Sequence, residues 1–190
     1  MNKKICLILS VAVVTLLVGC IPKGWVTSTP KLPNPNIEQS NKINGLVLPN
    51  TPGKAKNENR LVTQLITDAK GDPTGWTIIS SRASRDAGTR APIHVHPYGG
   101  QTCVLSGEMS LYLDGELINK KAGPNECYWM PAGRRMSAIN TGSTTSTFVD
   151  TFVVPEGEQV WIVVEPGLQY LQDQFDAMFF TAPSNKKHKH

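Results

Sequence analysis

An all-β barrel or sandwich closed by one short C-terminal helix is the fold class this sequence predicts, and three observations predict it. Short runs rich in β-formers recur between residues 61 and 164. Turn signals separate them at roughly 8–12-residue intervals, and one stretch with helical spacing follows the last run. The runs lie at 61–66, 76–80, 93–97, 102–105, 109–113, 116–119, 127–130, 147–154 and 159–164. Gly71, Asp72, Pro73 and Gly75 break the first two apart. Asp114-Gly115 between alternating segments predicts a hairpin, because a type I′ turn needs positive φ at both central residues. Leu168, Leu171, Phe175, Met178 and Phe179 give 168–180 the spacing of a short amphipathic helix. Residues 183–190 read as a frayed tail.

The chain of 190 residues has room for one domain with extensions, and 39% hydrophobic against 18% charged residues suits a soluble fold. The formal net charge is +4; without Lys3 and Lys4 of the leader it is 4 − 2 = +2. No basic stripe with interleaved aromatics runs through the sequence, so nucleic acid is not an expected partner.

Residues 1–4 form a short positive region and 5–18 an apolar one. The apolar stretch is shorter than the ~20 residues that span a bilayer, and it fits a secretory leader. The leader ends Leu17, Val18, Gly19, Cys20, which resembles the bacterial lipobox. The resemblance implies that residues 1–19 are a signal peptide and that Cys20 becomes an acylated N-terminus. Each buried CH₂ of the acyl chains adds ~0.8 kcal/mol of membrane affinity. Ile21 stands where an aspartate would signal retention in the inner membrane. In a Gram-negative envelope the resemblance therefore implies the outer membrane, facing the periplasm.

Between Cys20 and residue 57 the composition shifts to Pro30, Pro33, Pro35, Pro49 and Pro52 among Asn, Lys, Ser and Thr. No period of 2 or 3.6 survives there, which predicts a flexible tether over 20–57 with a reach of roughly 30–35 Å. The folded domain is then expected over 58–182. Cys6 leaves with the leader and Cys20 takes the lipid, so Cys103 and Cys127 remain in the domain. An oxidising compartment allows a disulfide between them, although spacing alone does not place them within reach; buried free thiols are the other reading.

Two motifs carry the chemistry. Gly88, five residues, His94-Val95-His96 and then Gly107 form the first; Pro131-Ala132-Gly133, two residues, Met136, three residues and Asn140 form the second. Fifteen residues separate Gly107 from Gly123, room for two short strands and their turn. Over about residues 60–165 this pair resembles the small single-domain cupins. The resemblance implies a double-stranded β-helix (jelly-roll) barrel, with homodimers common. Alternate strand residues share a face, so His94 and His96 should project together into the barrel.

In cupins a glutamate of the first motif and a histidine of the second complete a metal site. Here the glutamate position falls on Gly100 or, with a one-residue slip, on Gln101, and Met136 replaces the histidine. Gln101 is the preferred reading, by likeness to small cupins with glutamine after a similar loop. The candidate metal set is therefore His94, His96, Gln101 and Met136, for Fe, Mn, Zn, Ni or Cu. Loss of the carboxylate disfavours hard ions, and a thioether favours soft ones such as Cu(I). The remaining histidines, His188 and His190, lie in the tail. A metal-free pocket lined by the two imidazoles, with Met136 as filler, is the alternative.

Arg90 and Arg134 are candidate ligand-binding residues, because a guanidinium at the barrel mouth would fork onto carboxylate or phosphate. One of Tyr128 and Trp129 should wall the pocket. The functional expectation is an envelope-anchored barrel that binds a small molecule, with a metal-dependent enzyme of dioxygenase or lyase/isomerase type as the alternative.

Overall fold

The computed structural model describes residues 38–172, apart from 54 and 117–119. The lipidation site Cys20, the leader, half of the predicted tether and residues 173–190 lie outside the described residues. The strands are β1 (Lys42–Ile43), β2 (Leu46–Val47), β3 (Thr51–Pro52), β4 (Lys56–Thr67), β5 (Pro73–Arg85), β6 (Thr89–Arg90) and β7 (His94–Val95). They continue with β8 (Gly100–Ser106), β9 (Met109–Leu113), β10 (Lys120–Ala122), β11 (Cys127–Met130), β12 (Arg135–Ile139), β13 (Ser146–Pro155) and β14 (Ile162–Val163).

Two sheets face each other. One runs β11-β8-β13-β5-β4, antiparallel throughout. The other runs β10-β9-β12-β6-β3, with β7 also paired to β12 and β14 to β7. Strands far apart in sequence are neighbours in both, as a jelly roll requires. The predicted all-β double-stranded β-helix barrel is the observed fold.

Alternation explains the core. In β5, Thr77, Ile79, Ser81, Ala83 and Arg85 turn inward; in β13, Phe148, Phe152 and Val154 do the same. With Val104, Met109, Leu111, Met130 and Met136, the apolar members Ile79, Ala83, Phe148, Phe152 and Val154 form the main apolar cluster between the sheets. A second, smaller cluster gathers Ile43, Leu48, Ile93, Val95 and Val164. Ile93 and Val95 alternate with His94, so they leave the opposite face of the sheet and need a separate cover. Ile43 and Leu48 supply it.

That cover corrects the predicted tether. Residues 42–52 are not a leash but three short strands, and Ile43 is 2% exposed. Asn44 and Gly45 both have positive φ, 52° and 77°, and join β1 to β2 as a two-residue type I′ turn. The Asn44 side chain then reaches the Leu113–Glu116 turn, donating to the Leu113 carbonyl (3.3 Å) and accepting from the Gly115 amide (2.6 Å).

Asp114-Gly115 is not the type I′ hairpin expected. Only Gly115 has positive φ, and the Glu116 amide donates to the Leu113 carbonyl at 3.1 Å, which is type II geometry. β12 was absent from the predicted runs because, at the centre of its sheet, both its faces are buried. Ser137 and Ile139 are as enclosed as Met136, and no polar–apolar alternation marks the strand. Of the predicted C-terminal helix only 170–172 is described as helical; 173–180 lies outside the described residues.

Candidate functional site

The two motifs meet across the barrel. The Gly88 amide donates to the Asn140 carbonyl and the Asn140 amide to the Thr89 carbonyl, each at 3.0 Å. The fully buried Asn140 side chain donates to the carbonyls of Arg85 (2.8 Å) and Thr144 (2.7 Å) and accepts from the Gly142 amide (2.9 Å). Gly107 closes the first motif because a Cβ there would lie 2.5 Å from Ser146 Oγ, and its φ is +76°.

His94 sits on β7 opposite Met136 of β12 and Val163 of β14. His94 and His96 are each 3% exposed, with Nε2 atoms 3.1 Å apart. Each Nδ1 faces a main-chain carbonyl, Pro92 at 2.7 Å for His94 and Val160 at 2.6 Å for His96. A carbonyl only accepts, so each Nδ1 carries the hydrogen and each neutral ring presents an Nε2 lone pair to the other. Burial, then the neighbouring His96, holds the His94 imidazole well below its usual range; burial pushes His96 down to about 4. Both rings are neutral at pH 7. Aromatic walls fix them: Trp161 against His94 and Phe152 against His96, both with centroids 4.9 Å apart.

The rings open on a cavity of ≈ 60 Å³ that Thr102, Tyr128, Phe148, Asp150 and Arg85 also line. Thr102 donates to Asp150 Oδ1 at 2.6 Å. Burial raises the Asp150 carboxyl to about 6, against the Thr102 hydrogen bond and the Arg85 charge, which both lower it. The Tyr128 hydroxyl, on a side chain 5% exposed, makes no well-formed hydrogen bond; burial, then the Asp150 charge, raises its phenol, against its neighbour Thr102 and the Arg85 charge, which lower it. Arg85 donates to the Gly53 carbonyl at 3.0 Å.

Sequence reasoning passed over Asp150, Thr102 and Arg85. A signal existed for Asp150: Phe148, Asp150, Phe152 and Val154 are one alternating row, and a carboxylate inside such a row needs a reason.

Several expected site residues stand elsewhere. Gln101, expected as a metal ligand, is exposed, because β8 turns Gly100, Thr102 and Val104 inward. Trp129 is 56% exposed for the same reason, its neighbours Tyr128 and Met130 having taken the inner face. Arg90 is buried, but away from the cavity: it donates to both Glu165 oxygens (2.7 and 2.8 Å) and to the Ala91 carbonyl (3.0 Å). The Ile93 amide also donates to Glu165 at 2.7 Å. Burial would raise the Glu165 carboxyl, but these donors hold it below its usual range. Arg134 ties the outer turn through Glu116 (3.2 Å) and the Asp114 carbonyl, so it does not guard the histidines. Cys103 and Cys127 are bonded across neighbouring strands β8 and β11, with Cα atoms 4.1 Å apart.

The residues fit a bound metal only in part. Two convergent Nε2 atoms suit two positions on one ion, and Met136 lies on their side of the sheet. The position that the resemblance gives to a carboxylate falls on Gly100, where a Cβ would meet Phe152 Cδ1 at 2.5 Å, so the Phe152 ring leaves no room for a side chain there. Among the described residues no three His, Cys, Asp or Glu are arranged to hold a metal.

No protein-family model and no curated protein sequence matches the chain. Solved structures do resemble it. The DMSP lyase DddQ from Ruegeria pomeroyi shares 18% identity at a TM-score of 0.43, over 57% of this chain and 53% of that one. An uncharacterised protein with a double-stranded β-helix domain from Klebsiella pneumoniae shares 22% at 0.42, over 61% and 90%. An RmlC-like cupin protein from Methanocaldococcus jannaschii shares 16% at 0.39, over 57% and 89%. The chain thus spans about half the length of the lyase and most of the other two.

Proposed function

We propose that this protein is an envelope-anchored cupin that binds a small molecule in the His94–His96 cavity. One observation carries the reading: two buried Nε2 lone pairs converge at 3.1 Å on a cavity, where each asks for a donor. Apolar walls with a few convergent polar groups are the usual make-up of a small-ligand site. The anchor rests on the resemblance of 17–20 to a lipobox.

The test compares the full chain with a His94→Ala/His96→Ala variant by native mass spectrometry and metal analysis after mild purification. A small organic ligand retained by the wild type and lost in the variant supports the reading. A stoichiometric redox metal lost in the variant moves it to a metal-dependent enzyme. Cys20→Ser should release the protein from membranes; continued membrane retention would count against lipidation.

A further inference from the structure

The cavity has a second polar group that the histidine motif does not supply. Asp150 lies two residues along β13 from Phe152, the ring that stacks on His96, or roughly 7 Å at the rise of a strand. Thr102 spends its hydroxyl hydrogen on Asp150 Oδ1 at 2.6 Å. Beside them the Tyr128 hydroxyl, on a side chain 5% exposed, has Thr102 as a neighbour but makes no well-formed hydrogen bond. A buried hydroxyl left so carries a desolvation cost that a bound partner would offset.

The polarity of the lining decides the class of ligand. At 3.1 Å the two Nε2 atoms cannot both carry hydrogen, and their Nδ1 atoms are committed to the Pro92 and Val160 carbonyls. The histidine notch therefore accepts, and the Asp150 carboxylate accepts as well. A carboxylate ligand would set its oxygens against lone pairs and a like charge. An ammonium ligand would enter a cavity lined by the Arg85 guanidinium. A neutral molecule rich in O–H donors meets neither penalty. The ≈ 60 Å³ of space admits only a few heavy atoms.

We propose that the cavity takes a small neutral polyol, with one hydroxyl donating into the His94–His96 notch and another donating to Asp150 while accepting from Tyr128. The inference rests on the small-molecule reading above and names its ligand class. It also replaces the anion expected from arginines at the mouth, since Arg90 and Arg134 are bound elsewhere.

The experiment titrates the full chain, in chelator-treated buffer, with glycerol, sodium acetate and methylammonium chloride, following the His94 and His96 ring nitrogens by NMR. Glycerol should shift the Nε2 signals and bind at least tenfold more tightly than the two ions. Tyr128→Phe and Asp150→Asn should each weaken glycerol about five- to tenfold, the range of one lost hydrogen bond. Tyr128→Phe keeps the ring, so it remains informative if the Asp150 variant fails to fold. Acetate or methylammonium binding as tightly as glycerol would overturn the polyol class and leave the cavity reading standing. Glycerol binding indifferent to both substitutions would overturn the role of the second polar group. Silence of all three probes at both rings would overturn this inference and the cavity reading together.

Discussion

Two buried polar clusters lie within one barrel, and they are built on opposite terms. Arg90 and Glu165 satisfy one another bidentately, and the Ile93 amide and the Ala91 carbonyl take up most of what remains, with Arg90 Nε the atom left over. His94, His96, Asp150 and Tyr128 instead face a cavity, with two lone pairs meeting and a hydroxyl that makes no well-formed hydrogen bond. A buried group whose valences are used up is part of the scaffold. One whose valences converge on empty space is arranged for something else. The difference teaches where stability and binding should separate under mutation.

The scaffold pair should give the largest loss. Glu165→Ala leaves the Arg90 charge buried without its partner, and about 3–5 kcal/mol is expected in urea unfolding at pH 7. A cost near zero would place Arg90 in contact with water and undo the contrast. Next is the Cys103–Cys127 bond, which closes a loop with a sequence separation of 24. Replacing both by serine should cost roughly 3 kcal/mol on the loop-entropy scale, read in the same assay. The strands it joins carry Thr102 and Tyr128, so ligand affinity should fall with it. Gly100→Ala, which drives a methyl into Phe152, should cost about 1–3 kcal/mol. Pairing it with Phe152→Leu should restore part of that loss, and strict additivity of the two would show that the ring is not what excludes a side chain.

These residues also show how much was legible. The spacing of His94 and His96 is a local property of a strand, and a period of two was enough to place both rings inward. The fold followed from run lengths and turns. Register was harder. Whether Gly100 or Gln101 faces in depends on where a loop of irregular backbone ends, and a one-residue error exchanges inside for outside. Arg90 illustrates a different limit, because its partner Glu165 is 75 residues away and no local pattern announces it. Asn44-Gly45 was legible and overlooked: the prolines around it suggested a tether, while the dipeptide itself encoded a type I′ turn.

Acidification sharpens the comparison further, because the cavity groups oppose one another. His94 and His96 have lowered values in the folded state, so they leave stability intact above the ordinary imidazole value of 6.5 and erode it as pH falls toward about 4. Asp150 is raised from 3.8 to about 6, so its contribution is fully present below pH 4 and is lost as pH rises through 6. Two histidines against one carboxylate predict a net loss of stability between pH 6.5 and 4. Asp150→Asn should steepen that loss by removing the opposing group. Denaturant midpoints measured across the window check it, and a slope unchanged in the variant would mean that Asp150 titrates as an exposed carboxylate does.

The smallest expected change is the most diagnostic. Tyr128→Phe removes a hydroxyl that makes no well-formed hydrogen bond within the protein, so little is lost and a desolvation cost is relieved. Unfolding free energy should stay within about 0.5 kcal/mol of the wild type or rise by up to about 1 kcal/mol. A scaffold tyrosine would behave in the opposite way, losing stability with its hydroxyl. If the variant is as stable as the wild type and also weaker for glycerol, the hydroxyl is held for a ligand and not for the fold. If it is clearly destabilised, the Tyr128 oxygen has a partner inside the protein, and the cavity cluster belongs with Arg90 and Glu165 after all.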